Sequence, residues 1–132
     1  MWPRDMKSIL YVDDEPTIRE LVQMSIELHA GLEIRCVENG ELALQELDKR
    51  LPDLLLLDNM LPGMDGPAIL EAAWSRVPSA DLPVVFLTAK ALPAEVARLK
   101  ELGAADVIAK PFDPERLAEQ LLEIWRRIQK SD

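Results

Sequence analysis

Four short runs of uninterrupted apolar residues, each closing on a polar side chain, constrain this chain more than any other feature. Ser8-Ile9-Leu10-Tyr11-Val12 ends in Asp13-Asp14, Leu54-Leu55-Leu56-Leu57 in Asp58, Val84-Val85-Phe86-Leu87 in Thr88, and Val107-Ile108-Ala109 in Lys110. Runs without polar alternation suit parallel strands covered on both faces. Leucine favours helix, but Pro52 and Pro62 bracket the leucine run too closely for an ordinary one, so it reads as a strand. A fifth run, Leu32-Glu33-Ile34-Arg35-Cys36-Val37, alternates apolar and charged residues. It reads as an edge strand with one wet face.

Helix patterns lie between these runs. Pro16 opens the first, with Ile18, Leu21, Val22 and Ile26 at helical spacing. Asn39 caps a second carrying Leu44 and Leu47, and a third carries Leu70, Ala73, Trp74 and Val77. Pro93 opens a fourth with Val96 and Leu99. Asp113-Pro114 reads as cap and first helical residue of a fifth, with Leu117, Leu121, Ile124, Trp125 and Ile128 on one stripe. Strand and helix thus alternate five times in 132 residues, with no Gly/Ser linker or internal repeat. The fold expected is α/β: a doubly wound (βα)5 three-layer sandwich with right-handed crossovers. Its parallel five-stranded sheet takes the order 2-1-3-4-5 of flavodoxin-like folds, which is borrowed from that class and agrees with the second run lying at an edge. Residues 1–6, with Trp2 in an unpatterned amino end, read as an extension, and residues 7–130 as the domain.

In such a sheet the ligand crevice lies beyond the carboxyl ends of the strands, where the winding reverses between strands 1 and 3. Asp13, Asp14 and Asp58 meet there. Three carboxylates in one crevice repel strongly without a cation. A hard divalent ion with oxygen ligands is the simplest compensation: Mg²⁺, or Mn²⁺ in its place, keeping waters and leaving room for a phosphate oxygen. No thiol or imidazole accompanies the cluster, which disfavours zinc. Thr88 and Lys110 bring a hydroxyl and an ammonium to the same crevice. Donors and a cation around a carboxylate make chemical sense if that carboxylate becomes an acyl phosphate. Each residue alone has an ordinary reading as a cap, a loop start, a turn residue or a surface charge. Four strand ends suited to one phosphoryl transfer, in the right order, do not.

These segments resemble the receiver domain of two-component response regulators, from about Lys7 to about Arg127. The motifs are Tyr11-Val12-Asp13-Asp14-Glu15, Leu57-Asp58-Asn59-Met60-Leu61-Pro62-Gly63-Met64-Asp65-Gly66, Leu87-Thr88-Ala89 and Lys110-Pro111-Phe112. The resemblance implies that Asp58 is the phosphoacceptor, served by a histidine kinase or a His-containing phosphotransfer protein. It implies that Asp13, Asp14, Asp58 and the Met60 carbonyl hold the metal, and that Thr88 and Lys110 contact the phosphoryl group. It further implies a cis Lys110–Pro111 bond, a supporting role for Glu15 beside the acid pair, and a close approach at Gly66 after the third strand. Met60 and Lys90 flank the phosphoryl site in relatives; Lys90 is expected to meet phosphoryl or acidic groups and to affect dephosphorylation. One departure stands out. Many receivers place a swinging aromatic three residues before the lysine, where this chain has Val107, stiff and ringless. Output then has to travel by loop and fourth-helix shifts or by self-association, through the fourth helix, fifth strand and fifth helix.

Charge and composition narrow the alternatives. With 15 Lys+Arg against 24 Asp+Glu, the net charge of −9 argues against direct binding of nucleic acid or an anionic membrane by this domain. One cysteine, Cys36, precludes an internal disulfide and reads as core; no apolar run approaches a membrane span, and the amino end lacks a signal-peptide core. A cytoplasmic location is expected. His29, the single histidine, reads as a charge at a helix end rather than a phosphodonor. Trp74 and Trp125 read as packing, with Trp125 also placed to serve a partner surface. The Arg126, Arg127 and Lys130 group complements a helix end. Two other functions stay open. A phosphatase or phosphotransferase with an Asp nucleophile usually carries a second Asp two residues on, where Met60 stands. A binding module that keeps only the fold would be expected to lose an acid or Lys110, and none is lost. A stand-alone domain with a separate output partner and a part of a longer regulator with its own effector domain are equally compatible.

Overall fold

The structure, a computed structural model, describes residues 4–130; Trp2 lies outside them. Strand and helix alternate as β1 (Ser8–Val12), α1 (Pro16–Glu27), β2 (Glu33–Val37), α2 (Gly40–Lys49), β3 (Leu54–Leu57), α3 (Gly66–Arg76), β4 (Val84–Thr88), α4 (Pro93–Glu101), β5 (Asp106–Ala109) and α5 (Leu117–Lys130). All four strand pairings are parallel, and the order is β2-β1-β3-β4-β5. The leucine run is β3, buried throughout at the centre of the sheet. The alternating run is β2, at an edge and only partly covered.

Successive side chains of each strand feed opposite layers. Ile9, Tyr11, Leu54, Leu56, Val85, Leu87 and Ile108 pack with Val22 and Ile26 of α1 and Leu117, Leu121, Ile124 and Trp125 of α5. Leu10, Val12, Leu55, Leu57, Val84 and Phe86 pack on the other face with Ala43 and Leu47 of α2, Ile69, Leu70 and Ala73 of α3, and Leu99 of α4. Helices therefore cover both faces. Trp125 is almost wholly buried and serves packing, while Trp74 is part-buried and donates its indole N–H to the Leu82 carbonyl at 2.9 Å. Cys36 is half-buried against the α1–α5 layer.

The caps follow the sequence with one exception. Asn39 accepts from the Leu42 amide at 2.9 Å, and Pro16 and Pro93 open α1 and α4. Asp65, unassigned in the sequence reading, caps α3 by accepting from the Ala68 amide at 3.0 Å. The fifth helix departs from expectation: regular α-helix begins at Leu117, not at Pro114. The Asp113 carbonyl accepts from both the Arg116 and Leu117 amides, and its carboxylate from the Glu115 amide, so residues 114–116 wind as turns first. A one-turn 3₁₀ helix at Ser79–Asp81 also lies outside the sequence expectation.

Residues 4–6 carry no regular secondary structure but are tied to the body. Met6 is buried, and the Arg4 guanidinium lies 2.8 Å from Asp53 and 5.2 Å from the centre of the Trp125 ring.

Candidate functional site

The site is assembled at the carboxyl ends of three strands by extending the sheet ladder one residue. The Asp13 amide donates to the Val37 carbonyl at 3.1 Å, and the Asp58 amide to the Val12 carbonyl at 3.0 Å. The Lys110 amide donates to the Thr88 carbonyl at 2.9 Å. Each functional side chain thus leaves from backbone that is still hydrogen-bonded to its neighbour strand.

The structure brings Asp13, Asp14, Asp58 and Lys110 together. One carboxylate oxygen from each aspartate lies within 4.8 Å of the others; Asp13 and Asp58 are buried and Asp14 is exposed. The Lys110 ammonium bridges the buried pair, 2.7 Å from Asp13 Oδ2 and 3.4 Å from Asp58 Oδ2. This donor set is all oxygen and carries more negative charge than Lys110 balances. It fits a hard divalent cation.

Electrostatics separate the two buried acids. Burial raises the Asp58 carboxyl, Lys110 opposes that, the Asp13 charge adds to it, and the net displacement is upward. Burial also pushes Asp13 up, but the hydrogen bonds from Lys110, Tyr11 and the Glu15 amide outweigh it and leave Asp13 below the usual carboxylate range. Lys110 is pulled down by burial and raised more strongly by Asp13 and Asp58, so it stays protonated.

The remaining predicted residues take more indirect positions. Thr88 is buried at the end of β4, and its hydroxyl oxygen accepts from the Lys90 amide at 3.1 Å. Met60 reaches the site through its main chain, its amide donating to Asp58 Oδ1 at 3.2 Å, while its side chain is 62% exposed. Glu15 likewise supports Asp13 through the backbone, its amide 3.0 Å from Asp13 Oδ1. The Lys90 ammonium sits 3.5 Å from Glu95 on α4. The Lys110–Pro111 bond is cis, as the resemblance implied. Gly66 is the close approach that was expected: a Cβ there would lie 2.6 Å from the Phe86 ring and 2.7 Å from the Asp58 carbonyl oxygen. His29 stands beyond the end of α1, 3.6 Å from Glu119.

Two residues without an assigned role touch the acid pair. The buried Tyr11 hydroxyl donates to Asp13 Oδ2, and Arg19 donates to the Asp13 carbonyl at 2.8 Å. Tyr11 carried a signal: it is the only polar tip inside an otherwise aliphatic stretch of β1, and a buried phenol needs a partner. Arg19 carried none, because its target is a main-chain carbonyl.

Comparison with known proteins places this geometry among relatives. A family model described as the response regulator receiver domain matches residues 9–122. The phosphate regulon transcriptional regulatory protein PhoB of Pseudomonas aeruginosa is 39% identical over 126 residues, covering 96% of this chain and 55% of that protein. PhoB of Escherichia coli K12 is 38% identical over 122 residues, covering 92% of this chain and 53% of that protein. The chain thus spans about half the length of these curated relatives. Among solved structures, the chemotaxis response regulator CheY4 of Vibrio cholerae superposes with a TM-score of 0.81 at 29% identity, covering 90% of this chain and 98% of that one. A CheY-like receiver domain protein from Methanospirillum hungatei gives 0.82 at 26% identity, covering 97% and 100%. No helix among the described residues is long and apolar enough to cross a membrane.

Proposed function

The chain belongs to the response regulator receiver family and is a signalling domain of two-component regulation, and on that premise we propose that Asp58 accepts a phosphoryl group from a histidine kinase or a His-containing phosphotransfer protein. The observation that carries this reading is the convergence of Asp13, Asp58 and Lys110 from three strand ends, with the Lys110 ammonium within reach of both acids.

An oxygen of ionised Asp58 attacks phosphorus as the bond to the donor's imidazole nitrogen breaks. An acyl phosphate forms, and the imidazole leaves with the electron pair. Lys110 sits beside the Asp58 oxygen, and its ammonium stabilises the negative charge on the incoming phosphoryl oxygens. The Thr88 hydroxyl, whose oxygen accepts from the Lys90 amide, donates its own O–H to a phosphoryl oxygen. Asp13, Asp14, Asp58 and the Met60 carbonyl would hold Mg²⁺, with Mn²⁺ as a substitute; when bound, the ion supplies charge neutralisation for the phosphoryl oxygens. Hydrolysis of the acyl phosphate resets the domain.

Phosphorylation then shifts an existing equilibrium of the α4–β5–α5 face and changes partner binding or self-association there. Asp106 on β5, which pairs with Arg127 at 2.8 Å and Lys100 at 3.5 Å, ties the three elements of that face together. The relatives named as transcriptional regulators support an output in transcription, and we place the domain in the cytoplasm with its kinase.

Incubation with Mg²⁺ and acetyl phosphate followed by intact mass tests the reading. One added phosphoryl group is expected on the wild type, and none on Asp58→Asn or in chelator. An adduct that survives Asp58→Asn overturns the assignment.

A further inference from the structure

We infer that Tyr11 is a positioning residue for the cation site: its buried hydroxyl fixes the Asp13 carboxylate in the orientation in which it ligates a divalent ion. This rests on the function proposed above.

Tyr11 stands two residues before Asp13, so both side chains leave the same side of the chain. Its ring is wholly buried in the layer under α1 and α5, where a phenylalanine would pack as well. The hydroxyl is what packing does not require, and it donates to Asp13 Oδ2. Three donors hold that carboxylate. Lys110 Nζ reaches Oδ2 at 2.7 Å, and the Glu15 amide reaches Oδ1 at 3.0 Å. Lys110 is shared, because it also reaches Asp58 at 3.4 Å and a phosphoryl group there competes for it. When Lys110 turns to that group, Tyr11 is the side chain that still holds Oδ2. Hydrogen-bond partners of metal-ligating carboxylates orient them, and losing one typically weakens metal binding by about 10–100-fold.

The test compares wild type and Tyr11→Phe by Mg²⁺ titration of the backbone amide resonances, without any phosphodonor. The expected result is a Kd for Mg²⁺ raised at least about tenfold in the variant. Unchanged Mg²⁺ affinity in a folded Tyr11→Phe overturns the inference, even if the variant melts at a lower temperature. A wild type that binds no Mg²⁺ counts instead against the proposed function. A second measurement needs no variant. Tyr11 is the only tyrosine in the chain, so a ¹³Cζ-tyrosine label gives one resonance. That resonance should shift on Mg²⁺ addition and saturate with the same Kd as the amides; a resonance that stays put while the amides move overturns the inference.

Discussion

A missing methyl at Gly66 keeps the first turn of α3 against the end of β3. A Cβ would meet Phe86 at 2.6 Å, the Asp58 carbonyl at 2.7 Å and Asn59 Cα at 2.9 Å. Two of those contacts are main chain of the acceptor segment and cannot swing aside. Gly66→Ala should therefore cost about 1–3 kcal/mol, read from the urea midpoint at constant slope. Cys36 allows a second prediction at this scale. Burial pushes its thiol up to about 11, the Arg19 charge opposing and Glu27 adding. A free thiol near ~8.5 holds far more thiolate at pH 8, so alkylation by iodoacetamide should be about two orders of magnitude slower in the native protein than in urea. Equal rates would mean that strand β2 opens readily. Asp13, Asp58, Thr88 and Lys110 were legible because each is the first polar residue after an apolar run. Arg19 was not, since nothing in a sequence pairs a guanidinium with one carbonyl among many.

At the scale of elements, periodicity separated strands from helices, and Pro16, Asn39 and Pro93 fixed three helix starts. The start of α5 was misplaced because cap chemistry at Asp113 is satisfied equally by a tight turn and by an α-helix. What the loops do was largely invisible. The segment between β4 and α4 is held at two points: the Lys90 amide on the Thr88 hydroxyl oxygen, and the Lys90 ammonium on Glu95. With half-buried Val107 at the position where many receivers carry an aromatic, this loop is a direct route from Thr88 to α4. A Thr88 hydroxyl that moves toward a phosphoryl oxygen draws the Lys90 amide, and so the loop, with it. The second point then sets where the Lys90 side chain goes. Lys90→Ala should shorten the lifetime of the phosphorylated protein severalfold, because the long cation no longer shields the acyl phosphate from water. Equal decay by intact mass would remove Lys90 from the reaction.

For the whole molecule, net charge and local charge act in the same direction. A chain of −9 concentrates three carboxylates at one end of its sheet and sets only one ammonium between the buried two. The two buried acids respond oppositely to pH. The folded value of Asp58 is raised, so the stability it contributes is full below the unfolded value of about 3.9 and is lost as pH rises through the elevated folded value. The folded value of Asp13 is depressed, so its contribution is present above the unfolded value and is lost as pH falls through the folded one. At neutral pH in chelator, ionised Asp58 therefore strains the fold while ionised Asp13 supports it. Asp58→Asn should raise the thermal midpoint in chelator, by about 4 °C for each kcal/mol of repulsion relieved, and Asp13→Asn should lower it. Mg²⁺ should stabilise the wild type by about 2.7 kcal/mol at a hundredfold excess over its Kd, and Asp58→Asn by clearly less, because one ligand and one charge are gone. Melting both proteins with and without Mg²⁺ closes the cycle. An Asp58→Asn midpoint below that of the wild type in chelator would mean that the acidic end of the sheet is not under electrostatic strain.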